Sequence, residues 1–166
     1  MKSCVFAGTF DPITIGHEDI VKQCLAKFDK VILVVGKNPN KSHFLCEKDR
    51  IELCKQAFLG QENLEIVAFS QIENEFSAYL KKQGVKTYIR GIRNKKDMQM
   101  EDQMQEKNAK LYPFITTEYI YADKQFEKVS SSLVRELIDS GASYLQYIPL
   151  KARDKMQEII KRLKNQ

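Results

Sequence analysis

Val31-Ile32-Leu33-Val34-Val35 is an unbroken run of apolar, mostly β-branched residues that ends at Gly36. Such a run has no polar face to offer water, so it reads as a strand covered on both sides, the condition of a parallel sheet between two helical layers. The rest of the chain must supply those layers, and it alternates accordingly. Residues 4–7 read as a short buried strand. Ile20, Val21, Cys24, Leu25 and Phe28 recur at helical spacing, so a helix begins near His17 with Thr14 as its cap. A second helix from about Glu47 turns Ile51, Leu53, Cys54, Ala57 and Phe58 inward and stops at Gly60. A third strand over 64–69 precedes a helix through Phe76, Tyr79 and Leu80 that ends at Gly84. A fourth strand over 85–89, a long polar helix over 97–111 and a fifth strand over 116–121 follow. Residues 130–140 are helical, with Leu133, Val134, Leu137 and Ile138 on one face. Pro149 introduces a last helix striped with Met156, Ile159, Ile160 and Leu163. Repeated βα units require right-handed crossovers. The expected fold is α/β: a Rossmann-like, doubly wound, five-stranded parallel sheet with helices on both faces. One domain spans 1–166, with the C-terminal helix, about 150–164, packing on it.

In an open parallel sheet, the loops beyond the carboxyl ends of the strands meet at one edge, where ligands bind. The residues with chemistry in this chain follow strands. Between Phe6 and His17 a turn containing Gly8, Pro12 and Gly16 leads into a helix and carries one of the two histidines. Amides at such a helix start, with the positive end of the helix dipole, favour a phosphate. Gly8 would let the chain pass close to it, and His17 would aim an N–H at it. Lys37 and Lys41 follow the second strand. The fourth leads to Arg90-Gly91-Ile92-Arg93, where planar guanidinium forks suit phosphate oxygens and Gly91 permits close approach. The fifth leads to Ser130, Ser131 and Ser132, which can cap the next helix and leave N–H and hydroxyl groups for a phosphate. Singly, each has a plainer explanation as a capped helix or a solvated lysine. Four loops converging on one edge are what a polyphosphate site requires.

Composition narrows the classes. A net charge of +5, from 27 basic and 22 acidic residues, suits a small anionic substrate without demanding nucleic acid, and no zinc-finger or ribonucleoprotein signature is present. No apolar run approaches the ~20 residues of a membrane span. The N-terminus lacks the layout of a signal peptide, so a cytoplasmic location is expected. The four cysteines form no C-x-x-C pair, and Cys4 and Cys24 fall on expected buried faces. A zinc set of His43, Cys46 and Cys54 lacks an evident fourth ligand, so no metal held by side chains is expected. Neither G-x-x-x-x-G-K-S/T nor G-x-G-x-x-G occurs, which leaves kinase and dinucleotide-oxidoreductase readings without support.

Thr14-Ile15-Gly16-His17, preceded by Gly8-Thr9-Phe10-Asp11-Pro12, resembles the T/H-x-G-H signature of the nucleotidyltransferase superfamily. Arg90-Gly91-Ile92-Arg93 and Val129-Ser130-Ser131-Ser132-Leu133-Val134-Arg135 narrow the resemblance to the bacterial phosphopantetheine adenylyltransferases, over about residues 4–163. The resemblance implies transfer of AMP from ATP to 4′-phosphopantetheine, giving dephospho-CoA and pyrophosphate in coenzyme A synthesis, with Mg2+ arriving on the ATP. It implies a catalytic group of His17, Lys41 and Arg90. For ATP it implies Thr9, Phe10, His17, Gly91, Arg93, Glu101, Ser130, Ser131 and Ser132; for phosphopantetheine, Thr9, Lys41, Ile72 and Arg90. It further implies a homohexamer and feedback by coenzyme A, and neither a membrane nor a nucleic-acid partner. The chain departs from the family pattern in places. Phe6-Ala7-Gly8 stands where Tyr-Pro-Gly is usual, Gln71 replaces an aspartate, and Glu73 puts a charge where the pantetheine arm meets an apolar residue. Residues 97–101 lack the usual aromatics. Two other readings of the same residues stay open: a nucleotidyltransferase for another phosphorylated acceptor, and a nucleotide sensor without chemistry.

The chemistry is self-consistent. The acceptor that the resemblance implies is a phosphate monoester with a second pKa of ~6, already an anionic nucleophile at neutral pH, so no general base is needed. The residue set, cations and hydroxyls with one histidine and no nucleophile–base pair, agrees.

Overall fold

The computed structural model describes residues 1–37, 42–93 and 112–165. The expected helix over 97–111, Lys41 and Glu101 lie outside the described residues. Strands β1 (Ser3–Gly8), β2 (Lys30–Val35), β3 (Leu64–Ala68), β4 (Thr87–Ile92) and β5 (Thr116–Tyr121) form one sheet in the order β3-β2-β1-β4-β5. Every pairing is parallel. The described helices are α1 (Ile15–Lys27), α2 (Glu47–Ala57), α3 (Phe76–Lys82), α4 (Ser131–Asp139) and α5 (Arg153–Lys164).

β2 shows why the sheet must be two-sided. All of Val31 to Val35 are at 0% exposure. Because successive side chains in a strand point to opposite faces, Val31, Leu33 and Val35 join a core with Cys24 of α1, Leu53 of α2, Val134 of α4 and Met156 of α5. Ile32 and Val34 join a second core with Phe76 and Leu80 of α3. This is the expected doubly wound arrangement.

The strand order reverses at β1, and the pairing there is unequal. β1 pairs with β2 along its whole length, from Ser3 to Gly8, but with β4 only from Cys4 to Phe6. Beyond Ile89, Arg90 to Ile92 pair with β5 alone. A crevice therefore opens between the ends of β1 and β4, the switch point at which such sheets bind ligands.

That pairing also corrects the fourth strand. The apolar run suggested 85–89. Val85 instead belongs to the turn after α3, its N–H donating to Leu80 O, and the strand runs on through Arg90 and Gly91 because β5 supplies their ladder partners. The arginines stand on and just beyond a strand, not in a loop.

Pro149 does not start the last helix directly; a short 3₁₀ turn, Leu150–Ala152, comes first. α5 then buries Met156, Ile159 and Ile160. Arg162 Nη2 donates to Asp49 Oδ2 of α2 at 2.5 Å. Burial alone would raise the Asp49 pKa, but the bonds from Arg162 and Cys46 outweigh it and hold the carboxyl below its usual value.

Candidate active site

β1 ends at Gly8, and the chain turns through Phe10 with φ at +47°, a left-handed value that a bulky residue adopts only when packing compels it. The packing is evident. Phe10 is 1% exposed, edge-on to Phe6 at 5.5 Å and to the imidazole of His17 at 5.0 Å. A Cβ on Gly8 would lie 2.9 Å from Phe10 Cζ. The space beside Gly8, read from the sequence as room for a phosphate, is the seat of this ring. Asp11, also buried, accepts the Phe44 N–H at 2.7 Å and the Leu45 N–H at 2.8 Å. Its carboxylate thus pins the segment before α2 to the first turn, with His43 Nδ1 3.6 Å from Oδ2.

α1 begins with a reciprocal cap. Thr14 Oγ1 accepts the His17 N–H, and the Thr14 N–H donates to His17 Nδ1 at 3.1 Å. A backbone amide can only donate, so Nδ1 is the acceptor nitrogen and the ring proton of the neutral imidazole sits on Nε2. Burial first, and the charge of Arg93 second, push the His17 pKa down to about 4. At neutral pH the ring is an uncharged, oriented donor.

Across the crevice, the Arg90 guanidinium stacks over the Tyr88 ring, 4.9 Å from its centroid. Arg93 Nη1 donates to Val129 O at 2.9 Å, which sets it beside the start of α4. Gly91 lines the crevice, yet a Cβ there would meet Ile20 Cγ1 of α1 at 3.2 Å. Its missing side chain makes room for Ile20 of α1. At α4, Ser130 Oγ accepts the Leu133 N–H, Ser131 Oγ donates to Pro12 O at 2.8 Å, and Arg135 donates to Ser132 Oγ and to Asp11 O. The helix start is latched to the first turn.

Together these elements enclose a cleft of about 410 Å³. Of the sequence-derived site residues, Thr9, Phe10, His17, Arg90, Gly91 and Arg93 line it, as do Ser130, Ser131 and Ser132. Ile72 is not among its lining residues; it packs against the second core. Glu73 is exposed on a 3₁₀ turn. Three contributors escaped sequence reading. Arg135 and His43 line the cleft, and Arg50 stands behind it. Arg135 was legible as the end of the serine motif, one helical turn from Ser132. Arg50 had a fainter signal: a cation at i−3 and i−4 from Leu53 and Cys54, on the inward face of α2. His43 had none beyond its residue type.

Arg90, Arg93 and Arg135 give the cleft its positive charge. Among the described lining residues the one carboxylate, Asp11, is already engaged by two amides. The site can hold anions at several angles and offer a neutral N–H donor among them, which is a phosphoryl-handling arrangement.

Known proteins place this architecture. The cytidylyltransferase-like family matches residues 5–137. The phosphopantetheine adenylyltransferase of Campylobacter hominis is 36% identical over 147 residues, 89% of this chain and 91% of that protein. Its counterpart from Heliobacterium modesticaldum is 34% identical over 158 residues, 95% of this chain and 92% of that protein. A crystal structure from Vibrio parahaemolyticus, assigned as a nicotinate-nucleotide adenylyltransferase, superposes with a TM-score of 0.65 at 16% identity, covering 93% of this chain and 97% of that one. At that identity the likeness concerns the fold alone. With the T/H-x-G-H turn, the two-arginine strand end and the latched serine helix all on one cleft, the chain belongs to the cytidylyltransferase-like family and, within it, to the phosphopantetheine adenylyltransferases.

Proposed function

We propose that this protein transfers the adenylyl group of ATP to 4′-phosphopantetheine, releasing pyrophosphate and forming dephospho-CoA. The observation that carries the mechanism is the locked imidazole. His17 Nδ1 is held by the Thr14 amide, so Nε2–H is the donor the ring has left, and Arg90 and Arg93 line the same cleft. The acceptor phosphate oxygen attacks the α-phosphorus, the bond from that phosphorus to the bridging oxygen of pyrophosphate breaks, and no covalent enzyme intermediate forms. Little is asked of the protein except to hold two anions in line and to meet charge on the α-phosphate. His17 Nε2–H donates to a non-bridging oxygen without the loss of a proton that a general acid would suffer. Arg90, with Lys41, offsets repulsion between acceptor and nucleotide. Arg93 and the amides of Ser131 and Ser132 hold the departing phosphates.

Magnesium belongs to the same reading. Among the described residues no cluster of three His, Cys, Asp or Glu side chains could hold a metal, and Asp11 is engaged by amides. Such a donor set suits a cation carried by phosphate oxygens and water. When bound, it would neutralise polyphosphate charge. A cytoplasmic homohexamer subject to feedback by coenzyme A completes the proposal, and sedimentation with and without coenzyme A tests the assembly. No described helix is long and apolar enough to cross a membrane.

The decisive assay is incubation with ATP, magnesium and 4′-phosphopantetheine, with dephospho-CoA detected by mass. Product from this acceptor, and none from glycerol phosphate, sugar phosphates or nicotinamide mononucleotide, is the expected result. Pyrophosphate release only with another acceptor, or ATP binding without release on any, would overturn the assignment.

A further inference from the structure

Among the described residues, the bulkiest side chain fully withdrawn from solvent is charged. Arg50, on α2, is 1% exposed and packs among the buried residues of that helix. Its Nη1 donates to two carbonyl oxygens, Thr9 O at 2.6 Å and Gly36 O at 2.5 Å, and its buried Nε has no hydrogen-bond partner. Those carbonyls belong to the residues just past β1 and β2, which are joined at the same level by the Gly36 N–H donating to Gly8 O at 2.7 Å. No carboxylate pairs with Arg50 among the described residues. The adjacent Asp49 is taken up by Arg162 and Cys46.

Tying two strand ends together does not require a charge. A cation buried with one donor unmet and no counter-ion among the described residues is a costly way to make two hydrogen bonds. The expense is rational if a full negative charge comes to lie nearby. Thr9, whose carbonyl the guanidinium grips, lines the cleft; Gly36 leads into the loop that carries Lys37. The cation is therefore one peptide unit behind the wall of the anion site.

We propose that Arg50 is a positioning residue of the polyphosphate site: its Nη1 sets Thr9 and the chain just past β2, and its buried charge is matched by the phosphates of the bound substrate. The inference rests on the cleft taking a polyphosphate, as proposed above, and concerns a residue that does not touch the reacting atoms. It gives the helix behind the cleft a part in substrate affinity.

Two variants separate grip from charge. R50K keeps the charge, but its shorter side chain withdraws the donor nitrogen from the two carbonyls. R50Q keeps a neutral donor and loses the charge. The readouts are pyrophosphate affinity by calorimetry, thermal unfolding, and kcat with ATP and 4′-phosphopantetheine. Expected for R50K is pyrophosphate affinity within about threefold of the parent but kcat lower by roughly tenfold, from misplacement of Thr9. Expected for R50Q is pyrophosphate affinity weaker by at least about tenfold, with a smaller pyrophosphate-induced rise in melting temperature. A purely structural latch would lower the melting temperature of both variants while folded protein kept parental affinity and kcat; that result overturns the proposal. Should R50Q not fold, R50K decides alone, and parental kcat in R50K refutes positioning. A parent that binds pyrophosphate but does not use 4′-phosphopantetheine would sink the functional assignment, and the calorimetric comparison would still judge Arg50. A parent that binds no pyrophosphate sinks both.

Discussion

Two helix N-termini line the cleft, and they are finished in different ways. At α1 the cap is reciprocal, and the position usually filled by glutamate or glutamine holds His17. A carboxylate there would be an acceptor with nothing to give. An imidazole spends one nitrogen on the cap and keeps the other as a donor. At α4 all three serine hydroxyls are engaged within the protein: Ser130 with Leu133, Ser131 with Pro12 and Ser132 with Arg135. What α4 can present to a ligand is the amides of its first turn that no helical carbonyl reaches, and the O–H protons of Ser130 and Ser132, whose oxygens only accept within the protein. One terminus supplies a directed side-chain donor, the other a seat for negative charge. Damage at α1 should therefore appear in turnover, and damage at α4 in binding and stability.

The largest test of that contrast is His17→Ala. Turnover should fall by roughly 10²–10³, about 3–4 kcal/mol, the usual loss for a donor that serves the transition state. His17→Gln sharpens it: the amide can accept the Thr14 N–H, so the melting temperature should recover while turnover stays low. Equal rates for parent and His17→Ala, followed by pyrophosphate release, would remove the imidazole from the mechanism. Next in size is Gly8→Ala. Its Cβ would press on Phe10 Cζ from 2.9 Å, and displacing a buried ring should cost about 1–3 kcal/mol in denaturant unfolding. An unchanged unfolding midpoint would mean the ring has another place to go.

At α4, Ser131→Ala removes the hydroxyl bonded to Pro12 O. Stability should fall by about 1 kcal/mol and KM for ATP should rise a few-fold, with kcat nearly parental. A fall in kcat comparable to that of His17→Ala would erase the distinction between the two termini. A further effect is in pH. The folded-state pKa of His17 is depressed to about 4 from an ordinary 6.5. Between those values the unfolded chain binds the proton more readily, so stability from this residue is complete above about 6.5 and is lost as pH falls toward 4. The unfolding free energy of the parent should decline over that window, and His17→Gln should decline less. Identical pH profiles would show that His17 is not the titrating group.

Much of the sheet was legible because its cause is local. Five consecutive apolar residues in β2, bounded by Gly36, leave few alternatives to a doubly covered strand, and the apolar stripe of α5 follows from spacing alone. The fourth strand was misjudged because its extent depends on a neighbour: Arg90 and Gly91 are strand residues only by pairing with Tyr119 and Ile120. Gly8 and Gly91 were read only in part for a related reason. Sequence shows that a side chain is missing but not what occupies the space, and Phe10 and Ile20 do.

The chain's order of residues by itself determined the alternation of elements, the two-sided sheet and the capped start of α1. Each is set by neighbours within a few positions, through periodicity, capping and turn chemistry. Only the tertiary structure decided where β1 and β4 part, which nitrogen of His17 keeps a proton, and that the serine hydroxyls are engaged within the protein. Arg50, 41 residues beyond Thr9 in the chain yet bonded to its carbonyl, belongs to the same class. These outcomes rest on contacts between distant segments, whose energies have no imprint on local pattern until the chain has closed around them.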